Sequence, residues 1–464
     1  MTLVDVRPLL AVPHVVRGVT TDDPVVEYSG FATPRLDLDA LVIPRSQPLP
    51  AAEVPVSEII ELLVATGERL RDDPDGLVAS AAQALMESTP YEPRIIQNTY
   101  EDLHLGFRAD NLVGRVEREL GGVDVIDGWR SVEVGGGSGG YVRAYPTRLV
   151  HVLAGNTPGV AAQTVIRGAL TKGFNVLKLP SNDLFSATML LRTMAAIAPD
   201  HPTVKSFSAV YWRGGDVAVE GALFRAQFFD KLVAWGGDSA IRNAAKYLSP
   251  GFELISFDPK SSISMIGREA TESDELLLEA ARLGAMDSAY LNQEACSTSR
   301  FHFIEATEAD ADRYCELLLA ELGVERRYTS ERVGALPTDV RDEVEVLRSI
   351  GSPYRVFGTT DGNGLVVRSD EPVDFYPSNK TVNVVVVPSL DAAVQYVNVA
   401  TQTIGIYPAA RRAELRDRLA SAGAQRVMSL GGVAKGASPP GFPHDGFFPL
   451  PRFVRWVSDE GASA

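Results

Sequence analysis

Residues 149–180 read LVHVLAGNTPGVAAQTVIRGALTKGFNVLKLP, and this stretch decides the fold. Two apolar runs, at 149–154 and 175–179, flank a helical pattern at 161–172. Parallel strands need a long crossover between them, usually a helix, whereas antiparallel strands can be joined by a tight turn. The order strand, helix, strand therefore predicts two parallel strands joined by a helix.

The same alternation continues to residue 257. It predicts an α/β fold with a Rossmann-type parallel sheet, covered by helices on both faces. Such sheets bind ligands at the carboxyl ends of their strands. Two of those ends read WRGGD, closing at Asp216, and WGGD, closing at Asp238, where each aspartate is predicted to cap the next helix. The further strands are predicted at 206–212, 231–235 and 253–257, and the further helices at 184–197, 217–225 and 239–248.

The chain is predicted to divide into four segments. A mostly helical N-terminal region, 1–125, precedes a hairpin and parallel-sheet domain, 126–270. A second α/β domain, 271–430, and a C-terminal return segment, 431–464, follow. Outside the parallel-sheet domain, helices are predicted at 56–71, 76–86, within 95–120, and at 274–283, 310–322, 338–350, 390–400 and 409–422, and strands at 300–305, 382–387 and 453–457.

A glycine-rich stretch in the second segment imitates a nucleotide-binding motif. Gly135, Gly137 and Gly140 match GxGxxG, a fingerprint that requires a strand before it and a helix after it. The residues that follow, YVRAYP, do not begin a helix. The stretch is therefore predicted to be a β-hairpin with a flexible tip.

Composition restricts the class of protein. The chain has 464 residues and a formal net charge of −16, which argues against a nucleic-acid partner, since such a partner requires clustered Lys and Arg. No apolar run is long enough to span a bilayer, and the first residues lack a signal-peptide pattern. Two cysteines make no disulfide framework, and no metal ligand set is predicted. We therefore expect a cytoplasmic protein of several domains.

The segment NQEACSTSR, residues 292–300, holds one of the two cysteines. Its small polar residues make a poor core strand, so Cys296 is predicted to be a nucleophile. Cys315 is the contrast, because leucines follow it on a predicted helix. A thiolate that attacks a carbonyl needs a donor to hold the oxyanion. Asn156 offers a side-chain amide for this purpose, although alone it also fits a turn that ends a strand.

These motifs together resemble the aldehyde dehydrogenase superfamily, from about residue 149 to the C terminus. HVLAGNTPG, which begins at His151, and PHDG, which begins at Pro443, resemble one branch of it. That branch is the acyl-CoA reductases, which include the reductase subunit of the bacterial bioluminescence fatty-acid reductase complex. In chain order, the superfamily motifs are Gly155-Asn156-x-Pro158, Lys178, Gly236-Gly237 and Gln293-x-x-Cys296-x-x-Ser299-Arg300.

The resemblance implies a role for each residue. Cys296 would attack an acyl thioester and form a thioacyl-enzyme, while Asn156 and the backbone N–H of Cys296 would hold the oxyanion. Lys178, in the stretch Lys178-Leu-Pro180-Ser181, would contact the adenosine ribose of a nicotinamide dinucleotide. Members that prefer NAD often have a glutamate at the position of Ser181. Without that carboxylate a 2′-phosphate is not repelled, so NADPH is expected.

Departures from the superfamily pattern refine the expected reaction. Gly236 and Gly237 would receive the pyrophosphate through backbone N–H groups, but Gly237 and Asp238 replace hydroxyl residues of the family, so no side-chain contact is expected. Oxidising members use a glutamate to activate water, and Ser256 stands in its place, with Glu253 three positions away. A reductase needs no hydrolytic base, so thioester reduction to an aldehyde is expected.

Other functions stay open from the sequence. They are oxidation of an aldehyde to the acid, reduction of an acyl phosphate, and a non-catalytic nucleotide-binding subunit. The expected substrate is acyl-CoA or another acyl thioester, fatty or aromatic. The resemblance also implies an acyl-protein synthetase partner and a homo-oligomer. His151, His302 and His444 are candidate proton donors, and each is also explained as a structural histidine.

Overall fold

The computed structural model describes residues 9–134, 138–435 and 439–460. The predicted parallel sheet is present and has seven strands. Its five predicted strands are parallel, and an N-terminal hairpin joins one edge in antiparallel pairing. In spatial order the strands are Glu253–Phe257, Lys231–Trp235, Arg148–Val152, Phe174–Lys178, Phe207–Val210, His14–Val16 and Val19–Thr21.

Both faces of this first sheet are covered. Every residue of the strand Phe174–Lys178 is buried, as a parallel strand between two helical layers requires. Its neighbours Val176 and Leu177 belong to hydrophobic cores on opposite faces, because side chains alternate along a strand. The helices that connect the strands are Gly159–Leu170, Ser186–Ile197, Val217–Leu223 and Asp238–Ala245.

A second seven-stranded sheet carries the segment with Cys296. Its strands are parallel except for one antiparallel pair at an edge. Cores on its two faces include Ala285 and Leu318 on one side and Val385 and Leu415 on the other. Its main helices are Asp274–Ala289, Glu308–Leu322, Thr338–Ile350 and Arg412–Ala422. In spatial order its strands are Arg355–Gly358, Leu365–Ser369, Thr381–Val387, Ser299–Glu305, Ser261–Ile266, Thr401–Tyr407 and Arg426–Ser429.

The predicted hairpin lies in a third, antiparallel sheet. Arg130–Val134 pairs with Ser138–Pro146, and Val454–Glu460 pairs with the other edge of that strand. Gly140 lies within a strand, where an added Cβ would come within 2.4 Å of the Asp459 carbonyl oxygen. The predicted flexible tip, with Gly135 and Gly137, lies outside the described residues. Because no helix follows Gly140, the GxGxxG match is accidental, as predicted.

The α-helices of the N-terminal region begin at residue 56. Short strands, among them Leu10–Ala11 and Phe31–Thr33, precede the helices. Within the described ranges, no helix is both long and apolar enough to cross a bilayer. The domain boundaries proposed from the sequence stay predictions. The helices of this region are Val56–Asp72, Leu77–Ser88, Pro93–Glu101, Ala109–Leu120 and Asp124–Asp127.

The helix predicted at 390–400 is wrong over its last four residues. Helical structure ends with Leu390–Ala393 and the 3-10 turn Val394–Tyr396, and the chain then enters the buried strand Thr401–Tyr407. Asn398 explains the break, since its side-chain oxygen accepts the Ala400 N–H at 2.8 Å and so competes with the helix. The strand itself was not predicted.

Asp287 joins the helix before the cysteine segment to the C-terminal part of the chain. Its buried carboxylate accepts the backbone N–H groups of Gly431 and Val433, both at 2.8 Å. We expect Asp287→Ala to lower the free energy of unfolding by about 2 kcal/mol, because two buried donors lose their acceptor. Urea denaturation measures the change, with the exposed Asp342→Ala as the matched control. Equal stability of the two variants would contradict the assignment.

Candidate active site

A strained turn leads into the segment with Cys296. Leu291, Asn292 and Gln293 have φ angles of +49°, +52° and +73°, a left-handed conformation that non-glycine residues rarely adopt. Such residues persist only where the surrounding structure fixes them. The turn directs the chain from the helix Asp274–Ala289 to the amino end of the strand Ser299–Glu305 in the second sheet.

Hydrogen bonds hold the strained turn in place. The Asn292 side chain donates to Ser330 Oγ at 2.7 Å and accepts the Ser330 N–H at 3.0 Å. Gln293 Nε2 donates to the Thr381 carbonyl at 2.9 Å, and Arg300 Nη2 donates to the Gln293 carbonyl at 2.7 Å. Asn292, Gln293 and Arg300 belong to the predicted cysteine segment, so their side chains organise its backbone.

Cys296 is exposed within a cavity of about 980 Å³. Its carbonyl accepts a hydrogen bond from Ser262 Oγ at 2.8 Å, which ties the segment to the second sheet. Its sulfur accepts a hydrogen bond from Gln402 Nε2 at 3.1 Å. Cys315, by contrast, is fully buried on the helix Glu308–Leu322, as predicted.

Gln402 connects Cys296 to a carboxylate. The same Nε2 atom donates to Asp445 Oδ1 at 2.6 Å. Burial raises the pKa of the Cys296 thiol, and the negative charge of Asp445 raises it further, while the Gln402 hydrogen bond lowers it. Burial also raises the pKa of Asp445. A negative charge on Asp445 therefore disfavours ionisation of the Cys296 thiol, and the Gln402 side-chain amide lies between the two groups.

Asn156 lies in the same cavity as Cys296. Its Nδ2 donates to the Glu294 carbonyl at 3.2 Å, two residues before the cysteine. Gly155 next to it is in close contact with Asn182, where a Cβ would meet the amide oxygen at 2.2 Å. The structure thus brings together the thiol and the side-chain amide that the sequence predicts as a pair.

Lys178 lies on the opposite side of this cavity, at the end of a strand of the first sheet. It is only 7% exposed, and its Nζ lies 5.2 Å from the centroid of the Tyr211 ring. Burial lowers the pKa of Lys178 to about 8, and the charge of Glu220 partly offsets this. Glu220 is itself bound, since its oxygens accept from the Gly215 N–H and from Asn243 Nδ2.

Pro180 and Ser181 also line the cavity beside Lys178. Asp183, two residues beyond Ser181, is buried outside the cavity lining and accepts the Ser186 N–H at 3.0 Å. Among the described residues, no carboxylate follows Lys178 into the cavity on this segment. The position of Ser181 is therefore free of negative charge.

Gly236 and Gly237 line the cavity before the helix Asp238–Ala245. Gly236 has a φ of +147°, which suits glycine. The prediction that Asp238 caps this helix is wrong. Asp238 is its first residue and forms an exposed ion pair with Arg242 one turn further on, so its carboxylate is engaged at the surface. Asp216 does cap its helix, through the Ala218 and Val219 N–H groups.

The position of the family glutamate holds no acid. Ser256 does not line the cavity, whereas its neighbours Phe257 and Asp258 do. Glu253, three positions before Ser256, pairs with Lys231 and Arg452 at the other end of the strand. Its carboxylate is therefore occupied away from Cys296.

Two of the three candidate histidines lie outside the cavity. His151 contacts Asn175, and His302 contacts Ser288; both rings are fully buried, and burial lowers their pKa values to about 4 and about 3. His444 does line the cavity, but burial lowers its pKa to about 3. Its ring is therefore neutral near pH 7.

A second cavity of about 390 Å³ adjoins the first. It shares Asn156, Leu291 and Glu294 with the larger cavity. Much of its wall comes from apolar residues of the N-terminal helices and of a loop in the second half of the chain. These residues include Leu85, Tyr91, Ile95, Ile96, Val333 and Ala335.

Gln402 and Asp445 are the functional candidates that sequence reasoning missed. Gln402 is a polar residue in a strand whose seven residues are all buried. A buried glutamine is unusual and indicates a specific hydrogen-bond partner. Asp445 belongs to the PHDG motif that carried part of the family resemblance. Both signals were present in the sequence, but only the fold brings them to Cys296.

The architecture is that of the aldehyde dehydrogenases. A benzaldehyde dehydrogenase of Corynebacterium glutamicum superposes with a TM-score of 0.71 over 99% of this chain and 100% of its own, at 13% identity. Lactaldehyde dehydrogenase of Escherichia coli gives 0.70 over 98% and 100%, at 14% identity. At these identities the likeness shows the fold alone.

Sequence relatives define the branch within this fold. The long-chain acyl-protein thioester reductase of Vibrio harveyi is 27% identical over 87% of this chain and 83% of its own length. That of Aliivibrio fischeri is 31% identical over 74% and 70%. The family model described as acyl-CoA reductase (LuxC) matches residues 51–456. The chain belongs to the LuxC acyl-CoA reductase family.

The charge of Asp445 provides a test of the thiol's environment. We expect Asp445→Asn to lower the pKa of Cys296, because a negative charge that disfavours the thiolate is removed. The pH profile of iodoacetamide alkylation should shift to lower pH, measured in a Cys315→Ala background so that only Cys296 reacts. The exposed Asp361→Asn is the control. An unchanged or higher midpoint would show that Asp445 does not act on the thiol.

Proposed function

We propose that this chain reduces an acyl thioester to the aldehyde with NADPH, through a thioacyl intermediate on Cys296. The observation that carries the proposal is the convergence of three features on one cavity. Cys296 and Asn156 face it from neighbouring loops, Lys178 lines its first-sheet side, and the position of Ser256 offers no carboxylate to activate water. The names of the sequence relatives, acyl-protein thioester reductases, support the same reaction.

In the proposed reaction, the Cys296 thiolate attacks the thioester carbonyl. The C–S bond to the carrier breaks, the carrier thiolate leaves and takes up a proton, and the acyl group stays on Cys296. Bound NADPH supplies the hydride. Asn156 and the Cys296 backbone N–H hold the oxyanion after each addition. The thiohemiacetal on Cys296 then collapses, which releases the aldehyde and restores the thiolate.

The apolar second cavity is the proposed site for the acyl group. It opens beside Asn156, which places a chain bound there next to the carbonyl. Its walls of Leu85, Ile95 and Ile96 favour a fatty or aromatic group over a charged one. Acyl-CoA and acyl groups carried on a protein are both proposed donors, the latter with an acyl-protein synthetase as partner.

Two further expectations belong to the proposal. A homo-oligomer is supported by the exposed aromatic residues Tyr141 and Tyr145, which share one face of the third sheet, because exposed apolar patches often mark interfaces. A cytoplasmic location is supported by Cys296 and Cys315, which are both unpaired thiols.

The direct test incubates the protein with NADPH and decanoyl-CoA or benzoyl-CoA. We expect NADPH consumption with formation of an aldehyde, which a hydrazine reagent traps. Cys296→Ala should abolish turnover, because the thioacyl intermediate cannot form. Asn156→Ala should lower kcat by about 10²–10³, whereas Gln83→Ala, at an exposed amide outside both cavities, should not change it. Oxidation of decanal to the free acid, without thioester reduction, would replace the proposal with an aldehyde dehydrogenase.

The cofactor preference is tested at Ser181. We expect Ser181→Glu to raise the KM for NADPH by about tenfold, equivalent to roughly 1.4 kcal/mol of lost binding, because the new carboxylate repels the 2′-phosphate. The KM for NADH should rise less or fall. Ser181→Ala is the matched control and should keep the wild-type preference. An equal change for both cofactors would place the 2′-phosphate elsewhere.

A further inference from the structure

Two buried arginines line the cavity that holds Cys296. Arg115, from the helix Ala109–Leu120, is 8% exposed, and Arg167, from the helix Gly159–Leu170, is 3% exposed. Among the described residues, no hydrogen-bond acceptor serves Arg115 Nε or Arg167 Nε and Nη1. Buried guanidinium groups normally have an anionic partner, since desolvation of an unpaired charge is costly. The unpaired nitrogen atoms of Arg115 and Arg167 are therefore available to an anionic ligand.

The surroundings of Arg167 hold its guanidinium without neutralising it. Its central carbon lies 5.7 Å and 5.4 Å from the ring centroids of Trp235 and Phe257, which stack on each other. His444 packs edge-on against the same two rings and is neutral at pH 7. Burial and the charge of Arg115 together lower the pKa of Arg167 to about 9, although the charges of Glu119 and Asp445 partly offset the decrease.

The nearby carboxylates are engaged with other donors. Glu119 accepts the Leu450 N–H at 2.8 Å, and Asp445 accepts from Gln402. Burial raises the pKa of both acids, while the charge of Arg167 lowers it, so the acids and Arg167 interact at a distance. The described residues therefore supply partial electrostatic compensation and no hydrogen bond to the free guanidinium atoms.

We propose that Arg115 and Arg167 form an anion subsite that binds a carboxylate or phosphate oxyanion of the acyl thioester substrate. The proposal rests on the proposed function and adds a charge requirement to it. The charge of Asp445 acts on Arg167, and Asp445 reaches Cys296 through Gln402, which favours an anion on the molecule whose carbonyl Cys296 attacks. The oxyanion belongs either to the far end of the acyl group or to the phosphopantetheine arm of its carrier.

Four thioesters separate these two sources. Glutaryl and valeryl groups differ by a carboxylate, and each is supplied on CoA, with phosphates, and on N-acetylcysteamine, without them. For each enzyme, kcat/KM is compared as a ratio between matched substrates. In wild type we expect one of these kcat/KM ratios to favour the substrate that carries the additional anion. In Arg167→Met and in Arg115→Met we expect that ratio to fall by about tenfold or more, because a charged hydrogen bond is lost.

The ratio that falls identifies the source. A fall in the glutaryl-to-valeryl ratio on N-acetylcysteamine assigns the anion to the acyl group, and a fall in the CoA-to-N-acetylcysteamine ratio with valeryl assigns it to the carrier. Arg167→Lys, which keeps the charge, should retain part of the preference. The exposed Arg416→Met should leave every ratio unchanged. Ratios that stay at the wild-type value in both arginine variants would refute the subsite.

Binding and stability decide the proposal even if no thioester is turned over. Calorimetry with glutarate and with 4′-phosphopantetheine should show binding of one of them to wild type, and tenfold weaker binding to Arg167→Met. Removing an unpaired buried cation should also raise the melting temperature of Arg167→Met. No binding of either probe to wild type, or a lower melting temperature in the variant, would show that Arg167 is structural. Absence of turnover with intact binding would refute the proposed function alone.

Discussion

The strained turn at 291–293 is the constraint on which the active-site cavity depends. Three consecutive non-glycine residues in left-handed conformation cost about 1–3 kcal/mol each, and only the packed protein can hold them. Ser330, Thr381 and Arg300 do so through hydrogen bonds from the second half of the chain. The position of Cys296 is therefore determined by these contacts with the second half of the chain.

The C-terminal return segment closes the cavity from the other side. Leu450 and Arg452 attach it to Glu119 and Glu253, so that Asp445 reaches the Cys296 region through Gln402. Glu253 thus serves as an anchor for the end of the chain. Glu253, which lies close in sequence to the position of the family glutamate, therefore has a structural role. Asp445, which is distant in sequence, is the carboxylate that approaches the Cys296 thiol.

The sequence correctly predicted the helices and strands that are specified by a local hydrophobic pattern. Strands such as Glu253–Phe257 and helices such as Thr338–Ile350 have the predicted bounds, because period and flanking residues specify them. The strand Thr401–Tyr407 was missed, since Asn398 ends the preceding helix by a side-chain bond that hydrophobic pattern does not reveal. The order of the motifs along the chain predicted that Cys296 and Asn156 act together, and both line one cavity. The roles of Gln402 and Arg167 depend on contacts between distant segments, which no local pattern encodes.

The chemistry of a thioester also explains why the cavity needs no charged histidine. When a thiohemiacetal oxyanion on Cys296 collapses, the departing group is the Cys296 thiolate, and no proton is required. The carrier leaves as a thiolate as well, and a thiol pKa near 8.5 makes it a good leaving group. A neutral His444 is compatible with this reaction, whereas expulsion of an alkoxide or an amine would require an acid. The groups that matter are those that hold the oxyanion and control ionisation of the thiol, which are Asn156, Gln402 and Asp445.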